Sequence, residues 1–178
     1  MRLFVAIPLS REMREALTGA QRELRRRGVR GTYTPEENLH LTLAFIGEYP
    51  APEPVLDALE TVAFPPLRLT LHGLGSFGDV WWAGLRENEA LAACAARVRR
   101  VLAGTGIPCD RKRFSPHVTL LRRPSVSVEK GLAGIPLPPA AMTAERICLM
   151  RSDRGKRGML YTELGSILAS ERSRPTGE

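Results

Sequence analysis

The sequence predicts an α+β fold built from two similar lobes, with antiparallel sheets facing a central groove and helices on the outside. Three observations lead there. The pattern His-apolar-Thr-Leu occurs as His40-Leu41-Thr42-Leu43 and again as His117-Val118-Thr119-Leu120, in a chain with only three histidines. Each copy follows an apolar run, an amphipathic stretch and glycine: Leu3 to Ile7, Ser10 to Arg27 and Gly28 before the first, then Val80 to Leu85, Asn88 to Ala103 and Gly104/Gly106 before the second. Val5 precedes His40 by 35 residues and Trp82 precedes His117 by the same interval, so the chain reads as an internal duplication about an approximate two-fold axis.

The first strand is expected from Arg2 to Ile7, closed by Pro8. Ser10 suits a helix N-cap, Met13, Leu17, Ala20 and Leu24 recur at helical spacing, and Gly28 suits the left-handed position after the last turn. A loop through Thr34 to Glu37 feeds the first His strand, Leu39 to Ile46. Pro50, Pro52 and Pro54 mark a linker into a shorter helix, Glu53 to Val62. Leu67, Leu69 and Leu71 then alternate with Arg68, Thr70 and His72, the signature of a half-buried strand, and Gly73, Gly75 and Gly78 are expected to break the chain before Val80. The second long helix turns Leu91, Cys94/Ala95, Val98 and Val101/Leu102 inward. Poor periodicity from Pro124 to Pro139 predicts a loop with one short helix, and strands around Ile147/Leu149 and Leu160/Thr162/Leu164 flank a basic turn, Ser152 to Gly158. Residues 1–170 thus read as a single domain of two pseudo-symmetric lobes, with 171–178 a frayed tail.

With 178 residues, 43% of them hydrophobic, the chain can bury a core without help. No apolar run approaches the roughly 20 residues that span a bilayer, and the N-terminus enters a strand pattern without a signal-peptide core. The expectation is a cytoplasmic monomer with no membrane partner. Cys94, Cys109 and Cys148 are odd in number and scattered, which predicts buried free thiols instead of disulfides or a zinc site. Without H-E-x-x-H spacing, neither a metal nor a cofactor is expected. Net charge is +7, and of the 26 cations only Lys112, Lys130 and Lys156 are lysine. Arginine grips phosphate with a planar fork, and the clusters Arg111-Lys112-Arg113 and Arg122-Arg123 flank His117, which points to an anionic partner.

On an extended strand, residues two apart share a face, so His40 lies beside Thr42 and His117 beside Thr119, while the apolar partners anchor the other side. Imidazoles titrate near ~6.5, so two of them can hold opposite protonation states near neutrality. Phosphodiester cleavage needs that pairing: a base for the attacking water, an acid for the departing ribose oxygen, and hydroxyls for the non-bridging oxygens. His72, outside the repeated pattern, reads as structural.

Asn38-Leu39-His40-Leu41-Thr42-Leu43-Ala44-Phe45-Ile46-Gly47 and Arg113-Phe114-Ser115-Pro116-His117-Val118-Thr119-Leu120-Leu121-Arg122 resemble the two signature segments of the two-histidine (2H) phosphoesterases, specifically the RNA 2′,3′-cyclic phosphodiesterases, also called 2′-5′ RNA ligases. The opening Met1 to Ile7, the Trp82 strand and Tyr161-Thr162-Glu163-Leu164 extend the resemblance over nearly the whole chain. It implies metal-free hydrolysis of a 2′,3′-cyclic phosphate at an RNA or nucleotide end to a 2′-phosphate, with weak reversible 2′-5′ joining of RNA ends. It also implies His40 as the general acid that protonates O3′, His117 as the general base, Thr42 and Thr119 on the phosphate, and Phe45 and Arg122 around the terminal base, whose faces they would hold without reading sequence. Arg154 and Lys156 are candidates for the RNA backbone, and the short Phe77-Gly78-Asp79-Val80 segment is expected to alter the groove rim. Alternatives are the same site acting on a 2′-5′ oligoadenylate, a cyclic nucleotide or an ADP-ribose cyclic phosphate, or a non-catalytic nucleotide- or RNA-binding module; two intact motifs favour turnover.

Overall fold

A computed structural model describes residues 1–170, so the expected frayed tail at 171–178 lies outside the described residues. The elements run β1 (Arg2–Pro8), α1 (Arg11–Arg26), β2 (Thr32–Tyr33), a single 3₁₀ turn (Glu36–Asn38), β3 (His40–Glu48), α2 (Glu53–Glu60), β4 (Leu67–Phe77), β5 (Val80–Leu85), α3 (Glu89–Gly104), β6 (His117–Arg122), α4 (Val128–Gly131), β7 (Ala141–Ala144), β8 (Arg146–Gly155) and β9 (Gly158–Leu168). They form two antiparallel sheets, ordered β3-β1-β8-β9 and β2-β6-β5-β4-β7, and four helices. Neither sheet comes from one stretch of sequence, because the C-terminal hairpin β8–β9 adds to β1, and β2, which lies between β1 and β3 in the chain, adds to β6. Among the described residues no helix is long and apolar enough to cross a membrane.

The two long helices are punctuated alike. Ser10 Oγ accepts from the Met13 amide at 3.2 Å, and Asn88 Oδ1 accepts from Leu91 at 3.0 Å. Gly28 and Gly106 then turn left-handed, at φ +80° and +75°, letting Val29 and Ile107 donate back to Leu24 and Leu102. Leu17, Leu24, Val98 and Leu102 on these helices join β-strand residues such as Val5, Leu41, Trp81 and Leu120 in one continuous core.

Two expectations are corrected. Gly73 and Gly75 do not end the strand before Val80: β4 continues to Phe77, paired with β5 from Leu74↔Ala83 to Phe77↔Val80. Gly75 is there for packing, since a Cβ on it would meet the Trp82 ring at 2.3 Å. The basic turn from Ser152 to Gly158 is mostly strand, with Ser152↔Tyr161 and Arg154↔Met159 paired and only Lys156 and Arg157 left to turn. Cys94 and Cys148 are buried free thiols, whereas Cys109 is only partly buried. Burial pushes Cys94 up to about 11 and, with a bond donated to Glu163, Cys148 up to about 12, so neither is a thiolate at neutral pH.

The feature that places the repeated motifs is a pair of matching bulges. In β3 the register against β1 jumps from Val5↔Ala44 to Ala6↔Thr42, leaving Leu43 unpaired. In β6 the register against β5 jumps from Trp81↔Leu121 to Trp82↔Thr119, leaving Leu120 unpaired. A bulge breaks the ladder, so its carbonyl needs another donor. In each case a polar side chain of the helix that precedes the other motif supplies one: Gln21 of α1 donates to Leu120 at 3.0 Å, beside the Thr34 amide at 3.0 Å, and Arg99 of α3 donates to Leu43 at 3.1 Å. Gln21 is 3% exposed and also donates to the Thr34 carbonyl at 2.9 Å. Arg99 reaches the Lys112 carbonyl and the Asp110 carboxylate as well.

The connecting segments are exchanged in the same sense. β2 pairs with β6 through Thr32↔Arg122 and Tyr33↔Leu121, while Asp110, ahead of β6, exchanges bonds with Phe45 of β3 at 2.8 and 3.2 Å. Each His strand is therefore held by chain that leads into the other one.

Gln21→Leu is expected to lower the free energy of unfolding by about 1–3 kcal/mol, because it strips a buried donor from two carbonyls. Urea unfolding checks this as a lower midpoint at unchanged slope.

Candidate active site

His40, Thr42 and Phe45 of β3 and His117, Thr119 and Arg122 of β6 all line one cavity of about 600 Å³. The bulges bring the last member of each set in. A regular strand would turn residue i+5 to the face opposite His i, whereas here the adjacent buried pairs Leu43-Ala44 and Leu120-Leu121 absorb one extra residue. Phe45 is consequently 43% exposed in the cavity instead of packed in the core.

Both imidazoles are held in one way. His40 Nδ1 lies 2.6 Å from the carbonyl of Asn38, and His117 Nδ1 lies 2.6 Å from the carbonyl of Ser115, in each case two residues earlier. A carbonyl only accepts, so Nδ1 carries the proton and Nε2 is the nitrogen left for chemistry. His40 Nε2 sits 2.9 Å from Thr42 Oγ1, which donates to the neutral ring. Among the described residues His117 Nε2 has no hydrogen-bond partner.

Their surroundings differ. His40 is packed against Phe4, with ring centroids 5.0 Å apart, and edge-on to Tyr161 at 5.2 Å. Burial lowers its pKa, the positive fields of His117 and Arg122 lower it further, and the Asn38 bond offsets part of the effect. The Tyr161 phenol is pushed upward by burial, which keeps it a neutral hydrogen-bond donor. Around the cavity, Lys112, Arg113 and Arg122 face one acid among the described residues, Asp110, and that carboxylate lies 3.7 Å from Arg99. The result is a positive cavity suited to an anion.

All six residues singled out from the sequence meet here. His72 is exposed on β4 and does not line the cavity, nor do Arg154 and Lys156 at the β8–β9 hairpin. Sequence reasoning missed Asn38 and Ser115 as holders of the rings, and Arg99 as the clasp behind β3. The shared signal was present as a residue two before each His, but a backbone carbonyl gives no residue type to read. Asn38 is itself fixed by a 2.8 Å bond to the Met159 carbonyl.

The 2'-5' RNA ligase superfamily model matches residues 11–156. An RNA 2',3'-cyclic phosphodiesterase of Thermus thermophilus is 36% identical, over 92% of this chain and 88% of that protein. One from Geobacillus stearothermophilus is 28% identical over 98% of this chain but only 60% of its own length, so this chain spans about three fifths of that relative. The crystal structure of Escherichia coli LigT complexed with 3'-AMP superposes with a TM-score of 0.79 at 28% identity, covering 96% of this chain and 98% of that one. The chain belongs to the 2'-5' RNA ligase superfamily, in its RNA 2',3'-cyclic phosphodiesterase (LigT-like) family.

Proposed function

We propose that this protein hydrolyses 2′,3′-cyclic phosphate ends of RNA or nucleotides to 2′-phosphates, with His40 and His117 doing all the proton transfer and no metal ion required. The observation that carries this is the pair of imidazoles, each fixed through Nδ1 to the carbonyl two residues earlier and each lining the same positive cavity. Its volume, about 600 Å³, is in the ordinary range for a small-molecule site. The relatives above are RNA 2',3'-cyclic phosphodiesterases, and the Escherichia coli homologue was crystallised with a mononucleotide.

In the proposed reaction, His117 Nε2 takes a proton from water as the water oxygen attacks phosphorus. The P–O3′ bond breaks in line, and His40 delivers its proton to O3′, leaving a 2′-phosphate and a free 3′-hydroxyl. Thr42 and Thr119 donate to the non-bridging oxygens, where charge gathers in the transition state. Phe45 and Arg122 hold the terminal base by its faces, which tolerates any base. The matching bulges and helix clasps support reading the whole as a duplication with one histidine per copy.

His40, its pKa lowered by its enclosure, is neutral in the free protein near pH 7, yet the acid role needs it protonated. The bound phosphate supplies the remedy, since an anion beside an imidazole raises its pKa.

With excess EDTA, the protein is expected to convert 2′,3′-cyclic AMP to 2′-AMP, and His40→Ala or His117→Ala to slow this by at least ~10²-fold with the circular dichroism unchanged. A 3′-AMP product, or abolition by chelator, overturns the proposal. Because anion binding raises the His40 pKa, the alkaline limb of kcat should lie at higher pH than that of kcat/KM; if instead the acid limb follows His40, the acid and base roles are exchanged. Arg122→Ala should raise KM for 2′,3′-cyclic AMP by roughly 5- to 100-fold, in keeping with loss of one stacking partner, and steady-state kinetics read this directly.

A further inference from the structure

The cavity wall beside His117 carries an aromatic side chain that hydrolysis of a terminal cyclic phosphate leaves unused. Phe77, the last residue of β4, lines the cavity and is 46% exposed. Its ring stands edge-on to the His117 imidazole, at 5.1 Å and 88°, and leans on Trp82 at 5.0 Å. The opposite wall repeats this plan: Phe45 is exposed, backed by Phe4 at 5.7 Å, and Phe4 touches His40. Phe77 is also firmly placed. The turn after it is only Gly78 and Asp79, and the Asp79 carbonyl accepts from the Arg123 amide at 2.8 Å, tying the hairpin tip to β6. Arg123 holds a left-handed φ of +52° there, a conformation unusual outside glycine. The other aromatics of the cavity, Phe114 and Tyr161, are half-buried, and Phe114 lies under the Arg99 guanidinium.

We infer that Phe77 is the stacking platform for a second nucleobase, that of a nucleoside whose 5′-hydroxyl replaces water beside His117. This rests on the hydrolytic reading above and extends it. In-line displacement places the entering oxygen opposite O3′, on the His117 side. An alcohol entering there carries its nucleoside along that wall, where the exposed face of Phe77 waits. The step balances without another reactant: the 5′-oxygen bonds to phosphorus, the P–O3′ bond breaks, the hydroxyl proton passes to His117, and the proton of His40 goes to O3′. One cyclic diester becomes one open 2′–5′ diester with a free 3′-hydroxyl. The site thus takes two nucleosides joined across a single phosphate, one on each aromatic.

The test supplies 2′,3′-cyclic AMP with excess adenosine and separates 2′-AMP from the 2′–5′-linked dinucleoside phosphate by chromatography. The ratio of dinucleoside to 2′-AMP is expected to fall at least about fivefold in Phe77→Ala. Phe77→Leu, which keeps an apolar contact on Trp82 but has no flat face, should fall with it, and Phe77→Trp should retain the wild-type ratio. Formation of 2′-AMP in the same tube shows that each variant is folded. An unchanged ratio in Phe77→Ala and Phe77→Leu, or wild-type protein that makes 2′-AMP but no dinucleoside, overturns the inference. Wild-type protein that makes neither product overturns the hydrolytic reading instead.

Discussion

The carbonyl oxygens of Leu43 and Leu120 each accept a side-chain donor from outside their own sheets, and much of the architecture around the cavity follows from those two bonds. Each is released by a bulge at the fourth residue of the repeated motif. Each is taken by a side chain from the helix ahead of the other motif, Gln21 or Arg99. A buried carbonyl without a partner is costly, so the two strands cannot shift independently of the helices that hold them. The exchanged pairings of Tyr33 with Leu121 and of Asp110 with Phe45 add backbone bonds in the same direction. The two sheets are thereby tied together beside the strands that carry the histidines.

The same bulges decide what the cavity contains. Without them the side chains five residues after each His would point away from it. With them, an aromatic ring arrives from β3 and a guanidinium from β6, two unlike groups that share a flat face. His40 is enclosed by Phe4 and Tyr161 and prefers to be neutral, while Lys112, Arg113 and Arg122 keep the space in front of it positive. An enclosed imidazole that disfavours charge, set in a cavity that attracts anions, would gain a proton as an anion binds.

Much of this was legible in the residues. The two histidines and threonines follow from the repeat, the helix ends from Ser10, Asn88, Gly28 and Gly106, and the burial of Leu41, Leu43, Val118 and Leu120 from alternation. Less legible were the short strands β2 and β7, too brief to show a period, and the course of β4 through Gly73 and Gly75. Gly75 makes room for Trp82, a neighbour on the next strand, and Gly73 takes a left-handed φ of +75° where the pairing with β5 shifts register; local sequence cannot distinguish either from a turn.

The sequence by itself determined the α+β class, the duplicated motif and the residue types able to move protons and bind phosphate, because periodicity and side-chain chemistry are local properties. Tertiary structure alone decided that β8–β9 completes the sheet begun by β1, that Gln21 and Arg99 serve the bulges of distant strands, and that Phe4 and Tyr161 pack against His40. Those outcomes depend on hydrogen bonds and burial between segments far apart in the chain, as from Gln21 to Leu120 or from Arg2 to Ser152, and no local pattern records which donor a released carbonyl will find.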